Sequence, residues 1–314
     1  MPSPKLSIIM PAYNHEQFVG EAIEGVLNQT FSDFEFIIID DGSTDATAEV
    51  INGYQDERIQ YHYQENQDAF NAINNGMAKA QGEYWGILNS DDVYHPERFK
   101  TLFDFQKDHK AECLFTDVSP IDDHSQALDD PTFGWNQWHQ KNRQKYFDLN
   151  DLYAGFLHGN FMVTTSNLFM SAELAKKVGG FSSLRYLHDY DYIFRLMLAS
   201  PQGCFYLDNQ QLMSYRIHGN NTLSEGAILA REQDQMVIRQ YLLAVAEQEC
   251  SAELKKVRIE TGLDRLLALE HEMIAVKAEL SGQTSAKSGN QHESSLSLKS
   301  RLRKAASVLK HGKV

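Results

Sequence analysis

Phe34-Glu35-Phe36-Ile37-Ile38-Ile39-Asp40-Asp41-Gly42-Ser43-Thr44-Asp45 is an apolar run that stops on two acids, turns at a glycine and continues into helix-capping residues. Phe34 to Ile39 reads as a strand, and Ser43 or Thr44 is expected to cap a helix running towards Ile51. The same grammar recurs on both sides. Leu6 to Met10 reads as a first, buried strand, and Phe18, Val19, Ala22, Ile23, Val26 and Leu27 follow at helical spacing. Ile59 to Tyr63 alternates like a strand, and a helix is expected from about Ala69 to Ala80. Tyr84 to Leu88 is another apolar run, ending at Asn89-Ser90-Asp91-Asp92, and Pro96 suits a first helical position ahead of Phe99, Leu102, Phe103 and Phe105. Strands alternating with helices predict an α/β fold around a mostly parallel sheet.

The second half is less regular. Asp117 to Asp151 reads as loop-like, either a mobile loop on an acceptor side or an irregular packed insertion. Phe161 to Met170 reads as a strand, and Ala172 to Val178 as a helix stopped by Gly179-Gly180. Leu187 to Leu198 reads as a helix and Leu212 to Ile217 as extended chain. From Ala227 helix formers dominate. Ile259, Leu266, Met273 and Leu280 recur every seven residues, with Leu269 and Val276 between them, an apolar seam that either packs on the body or pairs two copies in a homodimer. Ser281 to Ser297 reads as a flexible linker.

Composition narrows the class. With 314 residues, 42% of them hydrophobic, the chain can bury a large core, and no apolar run reaches the roughly 18 residues a membrane-spanning helix needs. The N-terminal apolar stretch is too short for a signal peptide, so a cytoplasmic protein is expected. Cys113, Cys204 and Cys250 have neither metal-ligand nor redox spacing and are expected to be buried thiols. A formal charge of −14 argues against a nucleic-acid partner. The final stretch reverses the sign: Lys299, Arg301, Arg303, Lys304, Lys310 and Lys313 occur without an acid, and Leu298, Leu302, Ala305 and Leu309 share one helical face. That pattern fits either a disordered basic tail or peripheral contact with the inner face of an anionic membrane.

Acids at strand ends carry the chemistry. Ligands of open α/β sheets bind beyond the carboxyl ends of the strands, where Asp40-Asp41 and Asp91-Asp92 could share one crevice. Carboxylates there would repel a diphosphate unless a divalent cation bridged the two. Neither standard glycine-rich phosphate loop is present, which removes P-loop and dinucleotide-binding classes. Taken singly, Asp91-Asp92 fits a solvated turn, and Asp40-Asp41-Gly42-Ser43 a turn with a helix cap.

Taken together and in order, Pro11-Ala12-Tyr13-Asn14, Asp40-Asp41-Gly42-Ser43-Thr44-Asp45 and Gly82-Glu83-Tyr84 leading into Leu88-Asn89-Ser90-Asp91-Asp92 resemble family 2 glycosyltransferases. The likeness covers about residues 5 to 225, in the branch with a Leu-Asn-Ser-Asp-Asp motif. It implies a GT-A fold with residues 1–225 as catalytic domain, which leaves 226–280 as a helical extension, 281–297 as linker and 298–314 as a basic amphipathic tail. It puts Pro11, Ala12, Tyr13, Asp41, Asn71 and Ser90 at the nucleotide and Asp91 on a metal, Mn2+ or Mg2+. Asn71 opens Asn71-Ala72-Ile73-Asn74-Asn75-Gly76, where that branch carries an acid, and Asn89 stands where many members have Asp. Asp189-Tyr190-Asp191 with Arg195 is similar to the family's catalytic-base segment, with His188 in place of the commoner Glu. Asp189 would deprotonate the acceptor hydroxyl for in-line, inverting displacement. Tyr215-Arg216-Ile217-His218-Gly219-Asn220-Asn221-Thr222 resembles the segment that closes the catalytic domain, and His218 the histidine of the metal and diphosphate site.

The expectation is an inverting transferase using a nucleotide-sugar, a UDP-sugar foremost, on a saccharide or lipid-linked acceptor in the assembly of bacterial surface polysaccharide or lipopolysaccharide. A sugar nucleotidyltransferase would show an early glycine-rich basic loop, and Pro11 to Gly20 has no Lys or Arg. A non-catalytic nucleotide-sugar-binding scaffold is the third possibility. The joint presence of Asp41, Asp91, Asp189 and His218 disfavours it.

Overall fold

The computed structural model describes residues 3–218 and 227–280. The expected linker 281–297, the tail 298–314 and Gly219 to Thr222 lie outside them. The chain divides into two compact units, one from residues 3–137 and 162–218, the other from 138–161 and 227–280.

The first unit is built on one sheet. β1 (Leu6–Ala12) is buried along its whole length, as is β2 (Phe34–Asp40). They run parallel, Leu6 opposite Phe34 and Ala12 opposite Asp40. β3 (Ile59–Tyr63) extends the sheet beyond β2, and β4 (Tyr84–Ile87) lies on the other side of β1, both parallel. Every second side chain points to one face. Ile8, Met10, Phe36 and Ile38 join one cluster with Val19, Ala22, Ile23 and Val26 of α1 (Val19–Leu27), while Ile37 and Ile39 meet Ala72 of α3 (Ala69–Met77). Burial on both faces explains the unbroken apolar runs, because a one-sided sheet would have alternated.

The sheet continues through β5 (Val93–Tyr94), β6 (Cys113–Ile121), β7 (Phe169–Ser171) and β8 (Cys204–Arg216), in the order β3-β2-β1-β4-β7-β6-β8-β5. β7 is antiparallel to β4 and β6, β5 is antiparallel to β8, and β6 and β8 run parallel. Helices α2 (Thr47–Asn52), α4 (Arg98–His109), α7 (Ala172–Val178) and α8 (His188–Ala199) complete the unit's regular elements, beside α5 (Gly134–Leu149), whose start belongs to it. A mostly parallel sheet flanked by helices is the expected α/β architecture.

Three local expectations need correction. Asp117 to Asp151 is largely regular: β6 runs to Ile121 and α5 fills Gly134 to Leu149. No Pro or Gly interrupts Trp135 to Leu149, and His139, Asn142 and Tyr146 recur at helical spacing. Polar and aromatic residues on that face hide the period. Phe161 to Met170 forms a strand only at its end. Thr164 and Ser166 cap and line a 3-10 turn at Thr165–Asn167. The buried Asn167 side chain replaces strand pairing: its Oδ1 accepts from the Thr116 amide at 3.0 Å, and its Nδ2 donates to the Thr116 carbonyl at 2.7 Å. Finally, neither Ser43 nor Thr44 caps α2. Asp45 Oδ1 accepts from the Thr47 amide at 3.0 Å, while Ser43 and Thr44 hold Asn14. Of the cysteines, Cys113 is buried, whereas Cys204 and Cys250 are half-buried.

The second unit is helical, with α6 (Leu152–His158), α9 (Ala227–Ala244), α10 (Ala252–Leu280) and the rest of α5. Ile259, Leu266, Leu269 and Met273 are buried, as are Val237, Ile238, Tyr241 and Leu242 of α9. Gly262 brings α10 close: a Cβ there would stand 2.8 Å from Leu242 Cδ1. The seam from Ile259 to Met273 is therefore buried within the chain. Asp151 caps α6 and pairs with Arg258 at 2.6 Å, and Arg265 pairs with Asp234 at 2.5 Å. Among the described residues, no helix is long and apolar enough to cross a membrane.

Candidate active site

The carboxyl ends of β1, β2 and β4 open onto one edge, and their loops are tied together there. Asp40 is fully buried, and its carboxylate accepts from Tyr61 Oη at 2.8 Å and from the Ser43 amide at 2.9 Å. This fixes the turn in which Gly42 takes φ +78°, a conformation L side chains rarely adopt. Asn14 bridges across: its Oδ1 accepts from the Thr44 amide at 2.7 Å, and its amide donates to Ser43 Oγ at 3.1 Å. Glu16 Oε2 accepts from the Ala46 amide at 2.8 Å, and the His15 amide donates to Thr47 Oγ1 at 2.8 Å. The clustered polar residues after both strands thus form one double loop.

Pro11 and Ala12 end β1 and are buried, and Tyr13 beyond them is 46% exposed at the rim. Asp41 follows β2 and is nearly buried. Its Oδ1 accepts from Gln64 Nε2 at 2.6 Å and from the Gln67 amide at 2.9 Å. Burial raises its carboxyl above the usual range, with help from the charges of Asp68 and Asp40, against the lowering effect of those two hydrogen bonds. Asn71, in the first turn of α3, gives its side-chain amide to the Gln67 carbonyl at 2.6 Å.

The loop after β4 divides labour between its acids. Asp92 faces inward, accepting from Ser166 Oγ at 2.5 Å and from the Arg216 amide at 3.0 Å. Burial, then the neighbouring Asp91 charge, pushes its carboxyl well up, so Asp92 tends to the neutral form. Asp91 faces the loops. Burial works against its charge, but the hydrogen bond to His218 and the fields of His15 and His218 when protonated outweigh it and hold its carboxyl low. Asn89 belongs with Asp92: its amide group meets Thr164 Oγ1 and Thr165 Oγ1, each at 3.0 Å.

Topology delivers His218. β5 starts directly after Asp92 and pairs antiparallel with β8, Val93 opposite Ser214. The chain leaving β8 therefore returns past Asp91, and His218 Nε2 lies 3.1 Å from Asp91 Oδ2. His15 arrives from the β1 loop, with Nε2 4.0 Å from the same oxygen and Nδ1 2.8 Å from the buried Ser90 Oγ. The donor atoms of His15, Asp91 and His218 lie within 4.8 Å of one another, close enough to be candidates for sharing one metal ion. One carboxylate with two imidazoles suits a divalent transition ion.

Two contributors escape a sequence reading. His15 had no signal beyond its place beside Tyr13-Asn14. Arg216 is a buried guanidinium that donates to the Asp91 carbonyl at 2.8 Å, the Asp122 carbonyl at 2.9 Å, Ser125 Oγ at 3.0 Å and Glu21 Oε2 at 2.6 Å. It also stacks on Phe18, 4.9 Å from the ring centre. An arginine two residues before a candidate metal ligand was the available clue.

Asp189 sits in the first turn of α8, 6% exposed, where the helix dipole favours a negative charge. Burial, then the charges of Asp92, Asp91 and Asp189, push the Tyr215 phenol upward. Asp191 is engaged differently, accepting from Ser182 Oγ at 2.7 Å and Arg195 Nε at 2.9 Å. It anchors α8.

Comparison with known proteins bears on the family and the fold. The sequence profile of Glycosyl transferase family 2 matches residues 7–169, just over half of the chain. An uncharacterized glycosyltransferase of Rickettsia typhi, RT0329, is 32% identical over 229 residues, covering 70% of this chain and 66% of its own. Chondroitin synthase of Escherichia coli is 29% identical over 243 residues, 76% of this chain but 33% of the synthase. The matched part thus spans from about two thirds to one third of these relatives. Among solved structures, S. aureus TarS 1-349 in complex with UDP-GlcNAc superposes with a TM-score of 0.63 at 18% identity, covering 83% of this chain and 71% of that one. The mannosyltransferase PcManGT from Pyrobaculum calidifontis, in complex with GDP-Man and Mn2+, gives 0.60 at 13% identity over 98% and 84%. These structural likenesses establish the GT-A fold. The chain belongs to glycosyl transferase family 2.

Proposed function

We propose that this glycosyltransferase is an inverting enzyme that moves a sugar from a nucleoside-diphosphate donor, a UDP-sugar, to an acceptor hydroxyl. The observation that carries this is the meeting of Asp91 and His218 at the edge of the sheet where the strands preceding Tyr13 and Asp41 also end. Asp41 and the Tyr13 ring bind and orient the base, with Pro11 and Ala12 as floor and Asn71 and Ser90 in the surrounding wall. Asp91 and His218 hold a divalent ion, Mn2+ or Mg2+, which when bound offsets the diphosphate charge and stabilises it as a leaving group. Asp189 takes the proton from the acceptor hydroxyl as it attacks the anomeric carbon from the face opposite the diphosphate. Asp92 and Arg216 keep the loop in place and exclude water beneath it.

TarS bound to UDP-GlcNAc and PcManGT bound to GDP-Man and Mn2+ support a nucleotide-sugar donor and a metal on this fold. Chondroitin synthase supports a saccharide acceptor, and with it a role in bacterial surface polysaccharide or lipopolysaccharide assembly. We place the catalytic work in residues 1–225, with 226–280 a helical extension, 281–297 a linker and 298–314 a tail that contacts the inner face of the membrane near a lipid-linked acceptor. The deciding experiment is a panel of nucleotide-sugars in a thermal-shift assay with and without MnCl2. A UDP-sugar should stabilise the protein only with the ion, and Asp91→Ala should abolish the effect. Equal stabilisation by all donors in EDTA would overturn the proposal.

A further inference from the structure

We propose that His15, on the loop after β1, is a third protein ligand of the metal site, turned onto it by Ser90, and that it makes the site select transition ions over Mg2+. The inference rests on the metal reading above and extends it to a residue outside the Asp91 and His218 pair.

Three observations carry it. First, the ring is aimed. Its Nδ1 lies 2.8 Å from Ser90 Oγ, a buried hydroxyl, and with Nδ1–H donating there the lone pair falls on Nε2, the atom facing Asp91 Oδ2 at 4.0 Å. A carboxylate, carbonyl or hydroxyl fixing the far nitrogen is the usual support of a metal-bound histidine. Second, the spacing fits. Around a six-coordinate ion with bonds of about 2.1 Å, neighbouring donors stand roughly 3 Å apart and opposed donors roughly 4 Å apart. Here Asp91 Oδ2 is 3.1 Å from His218 Nε2 and 4.0 Å from His15 Nε2, and all three donors fall within 4.8 Å. Third, the ring is held. The His15 amide is bound by Thr47 Oγ1, its carbonyl accepts from the Phe18 and Val19 amides at 2.9 and 2.8 Å, and its ring meets those of Phe18 and His218 edge-on at 5.9 and 5.8 Å.

The donor set has a chemical consequence. Mg2+ prefers oxygen and keeps its water; Mn2+ also favours oxygen but takes imidazole more readily than Mg2+ does, and Co2+ and Zn2+ more readily still. Three protein donors would leave open positions on a six-coordinate ion for oxygen ligands of a bound diphosphate. Selection therefore resides in two loops, since His15 and Ser90 come from different strand ends.

The test uses the full chain with Mn2+ alone and Mg2+ alone, without nucleotide. Pulsed electron paramagnetic resonance on the unaltered protein counts imidazole nitrogens on bound Mn2+ and needs no substitution. Two imidazoles are expected, falling to one in His15→Phe, which keeps a ring beside Phe18. Titration should show Mn2+ affinity reduced at least about tenfold in His15→Phe and by a similar factor in Ser90→Ala, the usual size of a lost orienting contact. Mg2+ affinity should change less than about twofold, because nitrogen contributes little to it. One imidazole in the unaltered protein, abolished by His218→Ala, would overturn the role of His15 and leave the metal site standing. Equal losses for Mn2+ and Mg2+ in His15→Phe would overturn the selectivity. Mn2+ binding untouched by Asp91→Ala and His218→Ala would remove the metal reading itself.

Discussion

Replacing Arg216 by Met tests the organisation of the acidic loop from beneath. The guanidinium is fully buried and serves two main-chain carbonyls, one hydroxyl and the Glu21 carboxylate, while lying over Phe18. The Glu21 contact contributes little, about 1 kcal/mol or less, because that side chain is 43% exposed and regains water when the partner leaves. The two carbonyls matter more. Each loses a charge-assisted hydrogen bond in a partly buried setting, at roughly 1 to 3 kcal/mol apiece. Against this, methionine refills most of the apolar volume, and a buried charge no longer has to be desolvated. The net expectation is about 3 kcal/mol, which for a unit of this size lowers the unfolding midpoint by roughly 6 to 12 °C. Thermal unfolding followed by near-ultraviolet circular dichroism measures it. Because the Asp91 carbonyl is one of the freed acceptors, Mn2+ affinity should fall in parallel, and Arg216→Lys, with one ammonium in place of a fork, should recover only part of either loss. A midpoint lowered by less than about 2 °C with unchanged Mn2+ affinity would refute the idea that this side chain shapes the site.

Asp189→Asn should lower sugar transfer by at least about a hundredfold while leaving donor affinity intact, the effect of removing a general base; stopped-assay transfer rates alongside titration of the donor check both halves. Gly82→Ala should destabilise the first unit by about 1 to 3 kcal/mol in urea unfolding, since overpacking is relieved only by movement: the new Cβ would stand 2.5 Å from the Ser7 amide nitrogen, and backbone cannot swing aside. In the second unit, burial, then Arg265, Lys145 and Lys141, lower His158 to about 4 from an ordinary 6.5. The unfolded chain therefore binds the proton first, so stability is complete above about pH 6.5 and declines as pH falls towards 4. Urea midpoints between pH 7.5 and 4.5 should show this slope, and His158→Gln should flatten it.

Much of the catalytic unit's scaffold was readable because its signals are local. Apolar runs such as Phe34 to Ile39 need two covered faces, and that alone predicts central strands of an α/β sheet. The acids that close those strands were visible for the same reason. The stretch from Phe161 to Met170 misled because its apolar residues announce a strand, while the four polar residues inside it are spent on Thr116, Asn89 and Asp92, partners 51 to 77 positions away in the chain. The helix at Gly134 to Leu149 was hidden by the opposite fault. Its inner face carries histidine, asparagine and tyrosine, which find hydrogen-bonded or stacked partners only after folding.

By itself the sequence determined the kind of chain this is: strands closed by acids, a nucleotide-sugar family's ordered motifs, and Asp91, Asp189 and His218 as the residues to watch. Tertiary structure decided which of them meet. The antiparallel pairing of β5 with β8 returns His218 to Asp91 across 127 positions, the double loop presents His15 from 76 positions before Asp91, and Arg216 closes the space below. Sequence spacing encodes periodicity along one element, whereas a coordination sphere or a buried guanidinium depends on which strand ends the sheet order makes neighbours. That order is set by the packing of the whole unit.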